Sequence, residues 1–365
     1  MTVTSEPTAR PRGAFYAPMK SPNHPTPSGD REIARLTLRA LDLAGFAPAL
    51  ASELRTIDLA GDSEAQQVLL ANATDAAAAL IDQLRDDPPD LWLTYHCHYK
   101  APDLIGPAVT RDLSIPYAIS EPSISPKRRD GPWAKFAAAS DEAISQADAL
   151  FWTTERDRPA LSSAGHSSKM THLPAFTEPG PEPAVRSNHG PVLQLMTVAM
   201  MRPGDKVESY RRLAAALKHL SVPHNLTIVG DGPAASEVKA LFAPFAANVT
   251  FAGRIDDRTQ LRAIMDQADL FLWPGVGEGV GMVFLEAQAA ELPVIAEDHA
   301  AARELVHHPC SPPDDPIAYA EAITNLADAE LRATASASAR LHVLERHSLA
   351  AAARTLRDTL EPLLR

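Results

Sequence analysis

Two glutamates, Glu278 and Glu286, bracket the segment Glu278-Gly-Val-Gly-Met-Val-Phe-Leu-Glu286, where a glycine-rich turn runs into an apolar stretch. Were the whole segment helical, the two carboxylates would stand slightly more than two turns apart. The glycines after Glu278 instead predict a loop, with the first carboxylate at its edge and the second on the helix that follows. The backbone N–H groups at that helix start lack intrahelical acceptors and attract anions. Carboxylates that accept from hydroxyls, set around amides that hold phosphate, suit a nucleotide-sugar.

Other groups could serve the same chemistry. Arg202 and Lys206 follow an apolar run in Met200-Met-Arg-Pro-Gly-Asp-Lys206. Two cations at the carboxyl edge of a parallel sheet could neutralise a diphosphate and stabilise it as it leaves; the alternative is a solvated loop. Gly230-Asp-Gly-Pro233 also follows an apolar run. Its glycines allow close approach of backbone to a ligand, although any strand-to-helix turn uses such residues. Trp273-Pro-Gly-Val-Gly-Glu278 is a further glycine loop at that edge. Tyr95-His-Cys-His98 ends an earlier run. It matches no complete zinc motif and reads as a polar strand end or as core histidine. Glu121 is open between a base, an acceptor contact and a cap. Lys127-Arg-Arg129 is a small basic cluster, either solvated or facing an anionic acceptor.

Short apolar runs alternate with amphipathic ones, which predicts an α/β fold with parallel sheets. Strands are expected at Gly13 to Met19, Leu91 to Tyr95, Ile115 to Ser120 and Ala149 to Thr153 in the first part. Helices are expected at Arg31 to Ala44 and Glu64 to Arg85. Residues 1–12 read as a disordered tail, residues 13–173 as one Rossmann-like domain, and the Pro- and Gly-bearing segment 174–191 as a linker. The pattern restarts as a second Rossmann-like domain over 192–348, followed by a C-terminal helix over 349–365. Its expected strands are Val192 to Ala199, Asn225 to Gly230, Val249 to Ala252, Asp269 to Trp273 and Pro293 to Ala296. The two halves are expected to face one another across a cleft, where open parallel sheets bind ligands.

The formal net charge of −12 argues against nucleic acid as a partner. Cys97 and Cys310 read as reduced thiols rather than a disulfide framework. Without a long apolar run or a signal-peptide pattern, the default is a cytoplasmic protein with no transmembrane segment, with peripheral membrane contact left open.

The ordered set Ile228-Val-Gly-Asp-Gly-Pro233, Phe251-Ala-Gly-Arg254, Ala268-Asp-Leu-Phe-Leu-Trp-Pro274, Glu278 to Glu286 and Leu292-Pro-Val-Ile-Ala296 resembles the nucleotide-binding half of the family-4 retaining glycosyltransferases. These are of group 1 type and have the two-domain GT-B fold. The resemblance implies a metal-independent hexosyl transfer with retention, from a nucleoside diphosphate sugar to an unknown hydroxyl acceptor (a glycan, a lipid or a small molecule). No cofactor is implied beyond that donor substrate. Glu278 would lie against the sugar hydroxyls, and Gly279, Gly281, Met282 and Val283 against the sugar and distal phosphate. Glu286 would hold the ribose, Arg202 and Lys206 the diphosphate, and Arg254 the base. Gly230 and Asp231 belong to the same donor set. Gly29, in the loop after the first strand, would keep that loop clear of the phosphates, and the C-terminal helix would cross back to the first half.

The chain departs from the family pattern at three points. Ala199-Met200 stands where Gly-Arg is usual, so the arginine role shifts to Arg202. Glu121 stands near the position of a usual histidine, so that first-half contact to the sugar is either absent or moved to His96 or His98. Val280 replaces a phenylalanine. Two other classes share the architecture: a nucleotide-sugar epimerase and a non-catalytic nucleotide-sugar-binding protein. A dehydrogenase is disfavoured, because no Gly-x-Gly-x-x-Gly follows a first strand with an acid about 20 residues on.

Overall fold

A computed structural model of the protein describes residues 9–26, 28–182 and 190–364. The chain divides into two units, Met1–Pro174 with Leu349–Arg365, and Ala175–Ser348.

The first unit carries a six-stranded parallel sheet. Its strands are β1 Arg12–Tyr16, β2 Ala47–Ser52, β3 Leu91–Cys97, β4 Tyr117–Pro122, β5 Ala149–Trp152 and β6 Met170–His172. They are ordered β2-β1-β3-β4-β5-β6. Phe15, Tyr16, Trp92, Ile119, Leu150 and Phe151 are fully buried in it, as expected of strands covered on both faces. The order reverses between β1 and β3, so the carboxyl ends of those two strands form the switch point where such sheets take ligands. The sequence reading lacked β2 and β6. Both are edge strands, and Pro48 within β2 is tolerated there because an edge strand can forgo a ladder donor. The β6 strand has only three residues.

Helix Gly29–Leu43 is capped by Ser28, whose Oγ accepts from the Arg31 amide at 3.3 Å, and has Asp30 and Glu32 in its first turn. Those acids suit the positive end of the helix dipole. The helix packs on the C-terminal helix Leu349–Leu360. Gly29 is therefore the first helical residue and not part of a loop, because the serine cap starts the helix one residue ahead of it. Residues 1–8 of the expected tail lie outside the described residues. The rest is ordered: Arg10 pairs with Asp42 at 2.8 Å, and Arg12 opens β1.

The second unit carries five parallel strands: β7 Leu193–Val198, β8 His224–Val229, β9 Val249–Gly253, β10 Leu270–Leu272 and β11 Val294–Ile295. Their order is β11-β10-β7-β8-β9, with the switch point between β7 and β10. Part of the segment expected to be a linker belongs to this unit. Thr177 bridges to Ser348, and Arg262 donates to the carbonyls of Pro179 and Pro181, both at 3.4 Å. Proline removes a backbone donor but leaves its carbonyl free to accept, as these two do; Arg340, from another helix, reaches the Gly180 carbonyl between them at 3.5 Å. Residues 183–189 of that segment lie outside the described residues.

Where the chain leaves this unit, helix Ala329–His342 ends in a π-helical turn, Val343–His347. Three imidazoles gather there, with ring centroids 5.1 Å apart for His307–His342 and 4.8 Å for His342–His347. Burial, then the neighbouring His347, His307 and Arg346, lower the His342 pKa to about 4. A histidine whose folded pKa lies below its unfolded value of 6.5 is protonated first in the unfolded chain. Its contribution to stability is present above pH 6.5 and is lost as pH falls from there through about 4. The second unit should therefore melt at progressively lower temperature across that window. His342→Gln should flatten the dependence, as read by thermal melts at a series of pH values.

Candidate functional site

The switch point of the second unit brings Lys206 and Glu278 together. Lys206 lies in the first turn of helix Asp205–Leu217, which follows β7, and Glu278 lies in the glycine loop that follows β10. The Lys206 Nζ forms a short ion pair with Glu278 Oε1. The Trp273 indole N–H donates to the same oxygen at 2.8 Å. The ammonium also lies over the Trp273 ring, 5.3 Å from its centroid. Trp273 is itself fully buried and packs edge-on against Tyr210 at 5.1 Å, while the Tyr210 hydroxyl donates to the Ala199 carbonyl at 2.8 Å. The Glu278 side chain retains only 12% exposure. Among the described residues, the second carboxylate oxygen and the remaining ammonium protons have no hydrogen-bond partner.

The loop is held from below. The Val276 amide donates to Ser209 Oγ at 2.9 Å, and His299 Nε2 lies 3.0 Å from the Pro274 carbonyl. Gly277 has φ +67°, and a Cβ there would lie 2.1 Å from Asp205 Oδ2, so only glycine fits against that helix start. Gly281, at φ +66°, begins helix Met282–Ala289 without a side-chain cap. The first amides of that helix, at Met282 and Val283, are thus left for an anion. Gly279 is exposed, with open space beside it.

Glu286 projects from the same helix. Its Oε1 lies 3.2 Å from an Arg258 Nη2. A cavity of about 310 Å³ opens beside the pair, lined by Thr177, Pro179, Arg258, Arg262, Met265 and Glu286 among others.

The remaining residues singled out in the sequence stand as follows. Arg202 is exposed in the loop after β7 and makes no ion pair among the described residues. Arg254 is exposed and paired with Asp256 at 2.7 Å. Asp231 is exposed, and its carboxylate accepts from the Gly232 amide at 2.8 Å. Gly230 serves the chain itself: a Cβ there would sit 2.0 Å from the Ala199 carbonyl oxygen, so its glycine is required for the close crossing of the β7 and β8 ends. Ser209, Trp273, Arg258 and His299 were not singled out as site residues. Trp273 lay inside a quoted motif. Arg258 and His299 meet the site only through folding, with no local signal.

In the first unit, His98 is committed to its own turn. Its Nδ1 accepts from the Lys100 amide at 3.2 Å, and its Nε2 lies 3.5 Å from Met19 Sδ. Burial lowers its pKa to about 3, which favours the neutral imidazole in this turn. His96 and Glu121 are instead neighbours across β3 and β4. The register pairs Tyr95 with Ser120 and Cys97 with Pro122, which leaves His96 beside Glu121.

Residues 193–329 match the family model described as glycosyl transferases group 1. A GDP-mannose-dependent monoacylated alpha-(1-6)-phosphatidylinositol monomannoside mannosyltransferase of Corynebacterium glutamicum is 39% identical over 88 residues, 22% of this chain and 23% of that protein. A GDP-mannose-dependent alpha-(1-6)-phosphatidylinositol monomannoside mannosyltransferase of Mycobacterium tuberculosis is 41% identical over 92 residues, 23% of this chain and 24% of that protein. These matches span about a quarter or less of the curated relatives. Across the whole chain, the fold is similar to a glycosyltransferase from Rickettsia africae, with TM-score 0.71, 15% identity and coverage of 98% and 99% of the two chains. It is also similar to Anabaena HepE in complex with UDP, with TM-score 0.69, 17% identity and coverage of 96% and 100%. The two parallel-sheet units are those of the GT-B fold. The match to the group 1 glycosyl transferase model lies within the second unit.

Proposed function

We propose that the protein is a retaining glycosyltransferase that moves a hexose from a nucleoside diphosphate sugar to a hydroxyl acceptor. The observation that carries this reading is the Lys206–Glu278–Trp273 cluster at the β7/β10 switch point, directly ahead of the helix that bears Glu286. Glu278 would accept from the sugar hydroxyls. Lys206, Arg202 and the Met282 and Val283 amides would meet the diphosphate, and Glu286 the ribose.

In the reaction, the bond between the anomeric carbon and the phosphate oxygen breaks, leaving charge on the nucleoside diphosphate. The acceptor oxygen bonds to the same face of the sugar, and its proton passes to the departing phosphate oxygen. Catalysis then rests on stabilising that leaving group, which a cation and helix amides already in place do without reorganisation. No metal is assigned a part.

Thermal shift with UDP, GDP and ADP, followed by incubation with the sugar nucleotides of the base that binds, tests this. Ligand binding raises the melting temperature by mass action. The expected result is a shift with one base, release of its diphosphate that rises when acceptor is added, an unchanged anomeric configuration by NMR, and activity that survives EDTA. An isomerised donor formed without acceptor would make the protein an epimerase. Binding without turnover would make it a binding protein.

A further inference from the structure

At the switch point of the first unit, the carboxyl ends of β1 and β3, four polar side chains converge. Asp30 stands in the first turn of the helix after β1, His96 and Glu121 stand side by side near the ends of β3 and β4, and Tyr95 precedes His96. His96 and Glu121 hold φ values of +63° and +54°, a left-handed backbone uncommon away from glycine. Such strain persists only where the surroundings impose it, and it gathers at ligand sites.

The cluster is incompletely satisfied. His96 Nδ1 is buried without a hydrogen-bond partner, its distance of 3.6 Å to Asp30 Oδ1 being an ion-pair separation only. The Tyr95 hydroxyl is likewise buried and unpartnered, on a residue that is 2% exposed. Glu121 and Asp30 are the acids that act on it. Buried hydroxyls are nearly always paired, so an orphan at a sheet's ligand edge marks a place for a partner that arrives with the ligand. The charges say which kind. Asp30, Glu121 and Asp157 all act on the one imidazole of His96, whereas Asp157 is itself held by Ser123 at 2.8 Å and Thr154 at 2.6 Å. Carboxylates accept from hydroxyl protons and repel phosphate.

We infer that Asp30, Tyr95, His96 and Glu121 form a binding site for an uncharged polyol, the sugar-like hydroxyl-rich part of the acceptor, and that it disfavours phosphorylated compounds. The inference rests on the transferase reading. The Tyr95 hydroxyl and His96 Nδ1 supply the groups that lack partners, and Asp30 and Glu121 accept from the polyol.

The probes are methyl α-glucoside, methyl α-galactoside and glucose 6-phosphate, titrated into the full chain by saturation-transfer NMR. At least one methyl glycoside is expected to bind saturably, and the phosphate more weakly. Tyr95→Phe should weaken the neutral glycoside about five- to tenfold, the loss of one hydrogen bond, while the melting temperature holds or rises because an unsatisfied hydroxyl is gone. A hydroxyl with a merely structural role would instead lower the melting temperature when removed. Affinity for the nucleoside diphosphate should not move. Saturable binding by neither glycoside, tighter binding of glucose 6-phosphate, or an unchanged glycoside affinity in Tyr95→Phe overturns the site. Absence of any nucleotide binding or donor turnover instead overturns the transferase reading, so the two failures are separable.

Discussion

Glu278→Gln is expected to lower transfer turnover about 100- to 1000-fold, the loss typical when one group aimed at a developing charge is removed. The substitution keeps the shape. The amide oxygen can still accept from the Trp273 indole, which now donates to Glu278 Oε1 at 2.8 Å. What disappears is the charge that holds Lys206 through its ion pair and that would draw the sugar hydroxyls. The lysine then loses its anchor at the switch point, and its ammonium is less well placed for the leaving phosphate. Glu286→Ala should behave differently. Glu286 is paired with Arg258 at 3.2 Å, on the helix and away from the glycine loop, so its removal should weaken nucleotide affinity about tenfold with little change in turnover at saturating donor. Steady-state kinetics with donor varied separate the two: a fall in kcat for Glu278→Gln, a rise in KM for Glu286→Ala. Wild-type turnover in both variants at saturating donor would remove both from the site.

The difference between the two glutamates was legible before any coordinates, and for a physical reason. A loop-to-helix junction writes itself locally as Gly-x-Gly followed by an apolar run, and that junction fixes where each carboxylate stands. The strands near the site were equally legible, because a buried parallel strand is a continuous apolar run such as Leu270–Leu272. The partners of those carboxylates were less so. Arg258 is 28 positions from Glu286, Ser209 is 67 from Val276, and His299 is 25 from Pro274; nothing in the local pattern of either member points to the other. Lys206 was named for a diphosphate, yet its ion pair with Glu278, 72 positions away, appears only once β7 and β10 lie side by side.

The glycines divide the same way. Gly277 and Gly230 look alike in sequence, each near a strand end, but one faces Asp205 at the site and the other faces the Ala199 carbonyl of its own sheet. Composition cannot tell a glycine kept against a neighbouring helix start from one kept against the neighbouring strand. Edge strands were missed for a related reason. Half-exposed and interrupted by proline, β2 carries neither the alternation of an amphipathic strand nor the apolar run of a central one. In the first unit the sequence left His96 and His98 open as alternatives, because both lie at the same strand end. Folding separates them: the Lys100 amide and Met19 meet the two His98 nitrogens, while His96 faces the acids.

Asp103→Ala is expected to destabilise the first unit by about 3 kcal/mol, the usual cost of breaking a buried hydrogen-bonded acid network. Asp103 is 1% exposed, and its two oxygens serve four donors. Oδ2 accepts from Thr94 at 2.5 Å and from the Tyr117 hydroxyl at 2.7 Å, joining β3 to β4. Oδ1 accepts from the Ile105 amide at 2.9 Å and the Gly106 amide at 2.7 Å, at the start of helix Gly106–Leu113. Thr94 in turn accepts from the Trp92 indole at 2.9 Å. Removing the carboxylate strands hydroxyls and amides in a region where water does not replace them, and each unpaired group is costly. Asp103→Asn should lose less, since the amide oxygen still serves two of the donors. For a unit of this size the loss corresponds to a melting temperature lower by about 10 °C. The expected signature is a thermal melt in which the first unit's transition moves down while nucleotide affinity, proposed to belong to the second unit, stays at the wild-type value. A melt that shifts by less than about 1 kcal/mol would mean that the network contributes no more than its ordinary net hydrogen bonds, and that the buried apolar faces of β3 and β4 alone hold the sheet on which His96 and Glu121 stand.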